Sequence, residues 1–237
     1  MSGTRRIKGI FVTGTDTGVG KTVVVGLLAK YLSRKGLRVV TQKWIQTGSK
    51  DFFDSDAASH IHFLDLDKET LQRYQKHILP YRYAFAASPH LAAHLENRRI
   101  VPCKIKKSFS YLANKFDLVV VEGAGGVLVP LDKKNLVIDI AKDLNLPVLV
   151  VAQNKLGAIN HTLLTIEALQ KRKIKILGVV FNNAEKQEKS IIDDNPKIIK
   201  SLTRVNIFGT LPWEEGYDSL YKKFMPIGDK IKRELSK

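Results

Sequence analysis

The chain has 237 residues, of which 44% are hydrophobic, and this is enough to bury the core of one domain or at most two. No apolar run reaches about 18 residues, the length of a membrane span. Segment 1–6 is not followed by the apolar region of a secretory signal. The single cysteine, Cys103, excludes an internal disulfide and fits a reducing cytoplasm. The net charge of +16 fits either a nucleic-acid surface or a lysine-rich proteome, and we favour the second because the charge is spread along the chain.

Apolar strands and amphipathic helices alternate along the sequence. The predicted strands are 9–13, 37–43, 117–122, 147–152, 175–181 and 207–211, and the predicted helices include 21–34 and 157–172. This alternation predicts a three-layer α/β fold, with a mostly parallel central sheet and helices on both faces. We expect residues 1–237 to form a single domain, in which the polar stretch 50–115 is an irregular excursion that carries substrate contacts.

A glycine-rich segment, Gly-Thr-Asp-Thr-Gly-Val-Gly-Lys-Thr at 14–22, joins the first strand to the first helix. Backbone N–H groups in such a turn, with the positive end of the helix, surround nucleotide phosphates. Lys21 is then expected to reach the outer phosphates and Thr22 to ligate Mg²⁺. Five residues separate Gly14 from Gly20, one more than in the usual pattern. A chance match is the alternative, but the place between strand and helix favours a phosphate-binding loop of the P-loop NTPase type.

Polar or glycine-rich segments follow the other predicted strands. They are 43–49, 122–126, 154–157, 182–183 and 212–215. Ligands of open parallel sheets bind beyond the carboxyl ends of the strands, so we expect these segments to lie with the loop on one edge of the sheet.

Two carboxylates and one lysine are candidates for binding the metal and the phosphates of a nucleotide. Glu122 ends a buried strand, where a charge is costly without a partner or a metal. Asp56 is the second carboxylate, with a helix N-cap as the alternative interpretation. Lys43 also ends a buried strand. We expect its ammonium to lie beside the oxygens of the phosphoryl group that is transferred; the alternative is that Lys43 is an ordinary surface lysine.

The histidines show no metal-ligand spacing. His60 and His62 lie two residues apart, which favours exposure on a helix over zinc binding. No grouping of Ser, His and Asp or of Cys and His indicates a nucleophilic centre, and we expect no such role for Cys103.

Taken together, these motifs resemble those of the dethiobiotin synthetase family over most of the chain. The matching segments are 11–22 with its displaced glycine, Lys43 with 47–49, 55–57, 88–90, 121–126, 155–161, Asn182 and 211–213. Three residues depart from the family's pattern, namely Gly18, Trp44 and Asn154.

The resemblance implies an ATP-dependent ligase of biotin synthesis. Such enzymes join CO₂ to 7,8-diaminononanoate as a carbamate, phosphorylate the carbamate with ATP, and close the mixed anhydride to the cyclic urea, dethiobiotin. The family further implies Mg²⁺, a cytoplasmic homodimer with sites near the interface, and no nucleic-acid or membrane partner.

The resemblance also implies roles for individual residues. Lys21 and Lys43 would be catalytic, and Mg²⁺ would be held by Thr22, Asp56 and Glu122. ATP would be bound by Thr15, Asp16, Thr17, Gly18, Val19, Gly20, Lys21, Thr22, Asn182, Pro212 and Trp213, with Asn182 at the adenine. The substrate would be bound by Thr17, Thr47, Gly157, Ala158, Ile159 and Asn160, the last four at a helix N-terminus that suits its carboxylate.

Two other classes of ATPase remain as alternatives. A chromosome-partition or septum-placing switch ATPase would act with DNA or membrane, but its loop carries an extra lysine where this chain has Asp16. Pro226 and Gly228 are expected to interrupt the C-terminal segment, which argues against a long membrane-seeking helix. An amidating synthetase of the cobyrinate type is less favoured, because no glutaminase segment with a nucleophilic cysteine follows.

Overall fold

A computed structural model of the chain describes residues 7–64 and 66–237, so the predicted absence of a signal in segment 1–6 falls outside the described residues. The strands are β1 Gly9–Gly14, β2 Val39–Lys43, β3 Ile45–Gln46, β4 Tyr81–Arg82, β5 Leu118–Gly126, β6 Val148–Gln153, β7 Ile176–Asn182 and β8 Ile207–Leu211. The helices are α1 Lys21–Arg34, α2 Asp56–Leu64, α3 Lys68–Ile78, α4 Pro89–Leu95, α5 Pro102–Ala113, α6 Val137–Asp143, α7 Ala158–Lys171, α8 Lys189–Thr203 and α9 Tyr217–Leu235.

Six of the strands described form one sheet in the order β2-β5-β1-β6-β7-β8, and every pairing in it is parallel. β3 and β4 form a separate two-stranded parallel ribbon. The predicted α/β class with a parallel central sheet is therefore confirmed. Each predicted strand is present, with ends displaced by at most two residues, except that β5 runs on to Gly126.

The sheet is buried on both faces because alternate strand residues enter opposite cores. Phe11 and Val121 pack on one face with side chains from α5, α6 and α7. Val12 and Val120 pack on the other face with α1 and α9. Strands covered on both sides must be apolar at every position, and this explains their uninterrupted apolar runs.

Two expectations about the chain outside the sheet are wrong. The stretch 50–115 is mostly helical, since it contains α2, α3, α4 and α5, and the apolar faces of these helices enter the core. The C-terminal segment forms one helix, α9, which continues without interruption past Pro226 and Gly228. Gly228 is accommodated because its bare Cα lies against the ring of Tyr31, where a Cβ would come within 2.7 Å. Among the described residues, no helix combines the length and apolar character needed to cross a bilayer.

Helices α1 and α2 touch closely at Gly26. A Cβ built on Gly26 would lie 2.2 Å from Cδ2 of Phe63, whose side chain is buried. This contact fixes α2, which follows β3, against the helix that begins at the glycine-rich loop.

We expect Gly26→Ala to destabilise the protein by about 1–3 kcal/mol, the usual cost of overpacking a core. The sign is diagnostic, because alanine in a helix interior is otherwise favoured over glycine by about 1 kcal/mol. Urea unfolding gives the free energy. Ser33→Ala, at an exposed position of the same helix, serves as the control and should change it by less than about 0.5 kcal/mol. A more stable Gly26→Ala variant would show that the close approach is not there.

Candidate functional site

Lys43 and Glu122 meet at the carboxyl edge of the sheet. They are register partners at the ends of β2 and β5, and Nζ of Lys43 lies 2.5 Å from Oε1 of Glu122. The two residues are 4% and 1% exposed. The sheet therefore brings together the two strand-end charges that the sequence singled out.

The other predicted metal-binding residues join this pair. The Thr22 hydroxyl, in the first turn of α1, donates to Oε1 of Glu122 at 3.2 Å. Asp56 is the first residue of α2, and its Oδ2 lies 2.6 Å from Nζ of Lys43. Two carboxylates, one hydroxyl and one ammonium thus converge at one point beside the loop.

The charges in this cluster shift one another's pKa. Burial alone would raise the pKa of Glu122, but the Lys43 ammonium and a hydrogen bond from His60 outweigh it and lower the pKa to about 2. Burial alone would lower the pKa of Lys43, but Glu122 and Asp56 prevail and raise it. Burial and then repulsion from Lys43 lower the pKa of Lys21 to about 8. Lys43 and Glu122 are accordingly both ionised at neutral pH.

The loop before α1 is shaped for the backbone to approach a ligand. Gly20, the N-cap of α1, has φ +96°, which favours glycine. A Cβ there would also lie 2.2 Å from Nδ2 of Asn182, the atom that donates to the Val19 carbonyl at 3.0 Å. The ammonium of Lys21 donates to the Asp16 carbonyl at 2.8 Å. The loop is thus held at both sides, and the helix N-terminus behind it provides N–H groups for an anion.

Two adjoining clefts contain most of the predicted site residues. One, of about 410 Å³, is lined by Thr17, Gly18, Gly20, Lys21, Thr22, Lys43, Thr47, Asp56 and Glu122. The other, of about 440 Å³, is lined by Asn182, Pro212 and Trp213. Val23 lines both clefts, which places them side by side. The first has the dimensions and charge for phosphates, and the second has the polar and aromatic lining that suits a base.

Some predicted residues lie apart from these clefts. Thr15 and Asp16 belong to the loop, while the side chain of Val19 is buried in the core behind it. The segment Gly157, Ala158, Ile159 and Asn160 begins α7 and is not among the residues described as lining either cleft.

Of the three departures from the family pattern, Gly18 lies in the loop, and Trp44 and Asn154 take structural positions. The ring of Trp44 is 1% exposed and stacks on Phe11 with centroids 4.7 Å apart. Asn154 accepts a hydrogen bond from Asn195 at 2.9 Å and donates to the Ile192 carbonyl at 3.0 Å. These bonds tie the segment before α7 to α8.

His60 is the site residue that the sequence misassigned. The expectation of exposure holds for His62 but is wrong for His60, which is fully buried with Nε2 2.7 Å from Oε2 of Glu122. One sequence signal could have found it: His60 follows Asp56 by four residues, which places both on one face of a helix.

The donor set fits Mg²⁺ in the company of a nucleotide. Mg²⁺ takes oxygen ligands and is usually held by one or two carboxylates together with phosphate oxygens and water. Thr22, Asp56 and Glu122 supply a hydroxyl and two carboxylates around one point. Within 7–64 and 66–237 no group of three His, Cys, Asp or Glu side chains could by itself hold a metal.

Comparisons with known proteins show which family the chain is similar to. A family model described as an AAA domain matches residues 8–219. The chain is 45% identical over 177 residues to ATP-dependent dethiobiotin synthetase BioD 2 of Haemophilus influenzae, covering 74% of this chain and 91% of that protein. It is 38% identical to ATP-dependent dethiobiotin synthetase BioD of Brachyspira hyodysenteriae, covering 85% and 90%.

Solved structures share the fold at low sequence identity. A putative plasmid partition protein of Borrelia burgdorferi bound to AMPPNP aligns with a TM-score of 0.61 and 16% identity over 96% of this chain and 98% of that one. The MinC:MinD cell division protein complex of Aquifex aeolicus aligns with a TM-score of 0.55 and 16% identity over 97% and 96%. At such identity the likeness extends to the fold alone.

Lys43→Ala leaves Glu122 buried without its main counter-charge, so we expect a loss of about 3 kcal/mol in unfolding free energy at pH 7. The loss should shrink towards pH 4. In the wild type, ionised Glu122 stabilises the fold at pH values above 4.5, its ordinary pKa. This contribution is lost as the pH falls towards about 2, the lowered pKa of Glu122 in the folded protein. In the variant, burial favours the protonated carboxyl. Urea unfolding at several pH values measures the loss at pH 7 and its decrease towards pH 4.

The control for this measurement is Lys50→Ala, because Lys50 is exposed and its removal should cost less than about 0.5 kcal/mol. A stability difference that widens on acidification would contradict the assigned ion pair.

Proposed function

The chain belongs to the ATP-dependent dethiobiotin synthetase family, and from this membership we propose that it closes 7,8-diaminononanoate and CO₂ to dethiobiotin, with ATP converted to ADP and phosphate. The observation that carries the proposal is the meeting of Lys43, Asp56 and Glu122 beside the glycine-rich loop. A fixed cation beside a phosphate cradle is what transfer of a phosphoryl group to a carbamate oxygen requires.

Lys21 and Lys43 stabilise the negative charge of the reaction. Lys21 belongs to the loop and binds the outer phosphates, which replace the Asp16 carbonyl as its acceptor. Lys43 is fixed by two carboxylates, and its ammonium faces the γ-phosphate and the carbamate. Since the ammonium is already in place, little reorganisation accompanies the movement of charge between oxygens.

Thr22, Asp56 and Glu122 hold Mg²⁺, which when bound neutralises phosphate charge. The remaining ATP contacts are assigned to the loop residues 15–20 and to Asn182, Pro212 and Trp213. Asn182 is assigned to the adenine because it lines the second cleft together with Pro212 and Trp213.

Thr17 and Thr47 line the phosphate cleft from two sides and bind the carbamate and diamine end of the substrate. The backbone N–H groups of 157–160, at the N-terminus of α7, receive the substrate carboxylate. From family membership, and because 157–160 are not among the lining residues of either cleft, we propose a homodimer with its sites near the interface; sedimentation equilibrium measures the oligomeric state. Residues 1–237 act as a single domain, and the proposed location is the cytoplasm.

The direct test is product formation. The purified chain, incubated with ATP, Mg²⁺, bicarbonate and 7,8-diaminononanoate, should yield a compound with the mass of dethiobiotin together with equimolar ADP. Omitting bicarbonate or diamine should suppress both products, because phosphoryl transfer needs the carbamate as acceptor. Mass spectrometry and an ADP assay make the measurement.

A switch ATPase would behave differently in the same assay. Its turnover would be indifferent to the diamine and would rise with duplex DNA or lipid vesicles. The fold alone is compatible with such a protein, but Asp16 stands where its loop would have an extra lysine. ATP turnover that is stimulated by DNA and yields no dethiobiotin would reject the proposed function in favour of a switch ATPase.

Lys43→Ala should slow dethiobiotin formation by roughly 10²-fold or more, the typical effect of removing a group that stabilises developing oxyanion charge. Nucleotide affinity should be largely retained, because the loop and Lys21 remain, whereas Lys21→Ala should abolish turnover. Steady-state kinetics and calorimetric ADP binding separate the two effects, with folding checked by circular dichroism. Wild-type turnover in Lys43→Ala would reject its role; Lys50→Ala is the matched control.

A further inference from the structure

His60 is a buried polar side chain to which the proposed function gives no role. His60 lies on α2, is 0% exposed, and places Nε2 at 2.7 Å from Oε2 of Glu122. Among the described residues its other ring nitrogen, Nδ1, is buried without a hydrogen-bond partner. An unpartnered buried nitrogen reduces stability, and an apolar residue could fill the same space without that cost. The contact with Glu122 is therefore what a histidine contributes here.

The two oxygens of Glu122 have separate partners. Oε1 accepts from the Thr22 hydroxyl at 3.2 Å and from the Lys43 ammonium at 2.5 Å. Oε2 faces His60. Since Glu122 forms an ion pair with the Lys43 ammonium, its carboxylate offers only acceptors, and Nε2 of His60 is the donor in this hydrogen bond.

The hydrogen bond from His60 fixes the rotation of the carboxylate. The terminal torsion of a glutamate is broad and weakly restrained by its own bonds. With Oε2 held from the side of α2, Oε1 is directed towards Thr22. A single helix supplies both restraints, since Asp56 and His60 are one turn apart and contact Lys43 and Glu122 respectively.

We propose that His60 is a positioning residue that orients Glu122 towards Thr22 and thereby sets the affinity for the divalent cation that accompanies the nucleotide. This inference rests on the proposed function, in which Thr22 and Glu122 hold that cation. Hydrogen-bond partners of metal ligands typically contribute 10–100-fold in metal affinity.

The experiment compares three substitutions in the full chain. His60→Leu removes the donor and keeps an apolar side chain of comparable bulk. His60→Gln keeps an amide N–H that reaches the place of Nε2, and His60→Asn carries its amide nearer the place of Nδ1. The measurement is calorimetric ADP binding at increasing Mg²⁺ concentration, with thermal unfolding recorded in parallel.

The Mg²⁺ concentration for half-maximal ADP binding should rise about 10–100-fold in His60→Leu and in His60→Asn. In His60→Gln it should stay within about threefold of the wild type. ADP binding in excess EDTA should be the same in all four proteins, because the recorded hydrogen bond of His60 is to Glu122 and not to the loop. If His60→Leu does not fold, the comparison of His60→Gln with His60→Asn gives the same answer.

An unchanged Mg²⁺ requirement in His60→Leu, or equal impairment of His60→Gln and His60→Asn in step with lower melting temperatures, would overturn the inference and leave a packing role. Failure of the proposed function looks different, because the wild type would then form no dethiobiotin. If ADP binding by the wild type is then also independent of Mg²⁺, this inference is overturned as well. If ADP binding requires Mg²⁺, the His60 variants still test the inference.

Discussion

The buried pair of Lys43 and Glu122 is the interaction on which the arrangement of the site depends. Removing two charges from water costs more than their attraction returns unless further partners satisfy them. Here those partners come from both helices that flank the pair, through Thr22 of α1 and through Asp56 and His60 of α2. Two of these partners, Thr22 and Asp56, also line the cleft beside the glycine-rich loop.

This dependence explains why packing remote from the cleft bears on the site. Helix α2 lies against α1 through the close contact of Phe63 with Gly26, and α1 itself begins at the loop. The loop is held in turn by Asn182 from the end of β7, which occupies the space beside Gly20. The glycine-rich loop, which lines the first cleft, is thus in direct contact with Asn182, which lines the second.

Much of the fold was predictable from the sequence, and the errors share a cause. Strands covered on both faces are apolar throughout, so their positions were found within a few residues. The polarity of the stretch 50–115 predicts irregular structure, whereas its helices bury one face each and leave the other polar. Local propensity also predicts a break at Gly228, whereas α9 continues because Gly228 packs against Tyr31, a residue distant in the chain.

The sequence by itself determined the phosphate loop, the strand ends that carry Lys43 and Glu122, and the family, because these depend on local order along the chain. Only the tertiary structure decided which of those residues meet. The register of β2 against β5 places Lys43 opposite Glu122, and the angle of α2 turns His60 inward to the same carboxylate. The spacing of four residues from Asp56 places His60 on the same face of a helix, but it does not show which charge His60 will contact, since Glu122 lies on a strand distant in the chain.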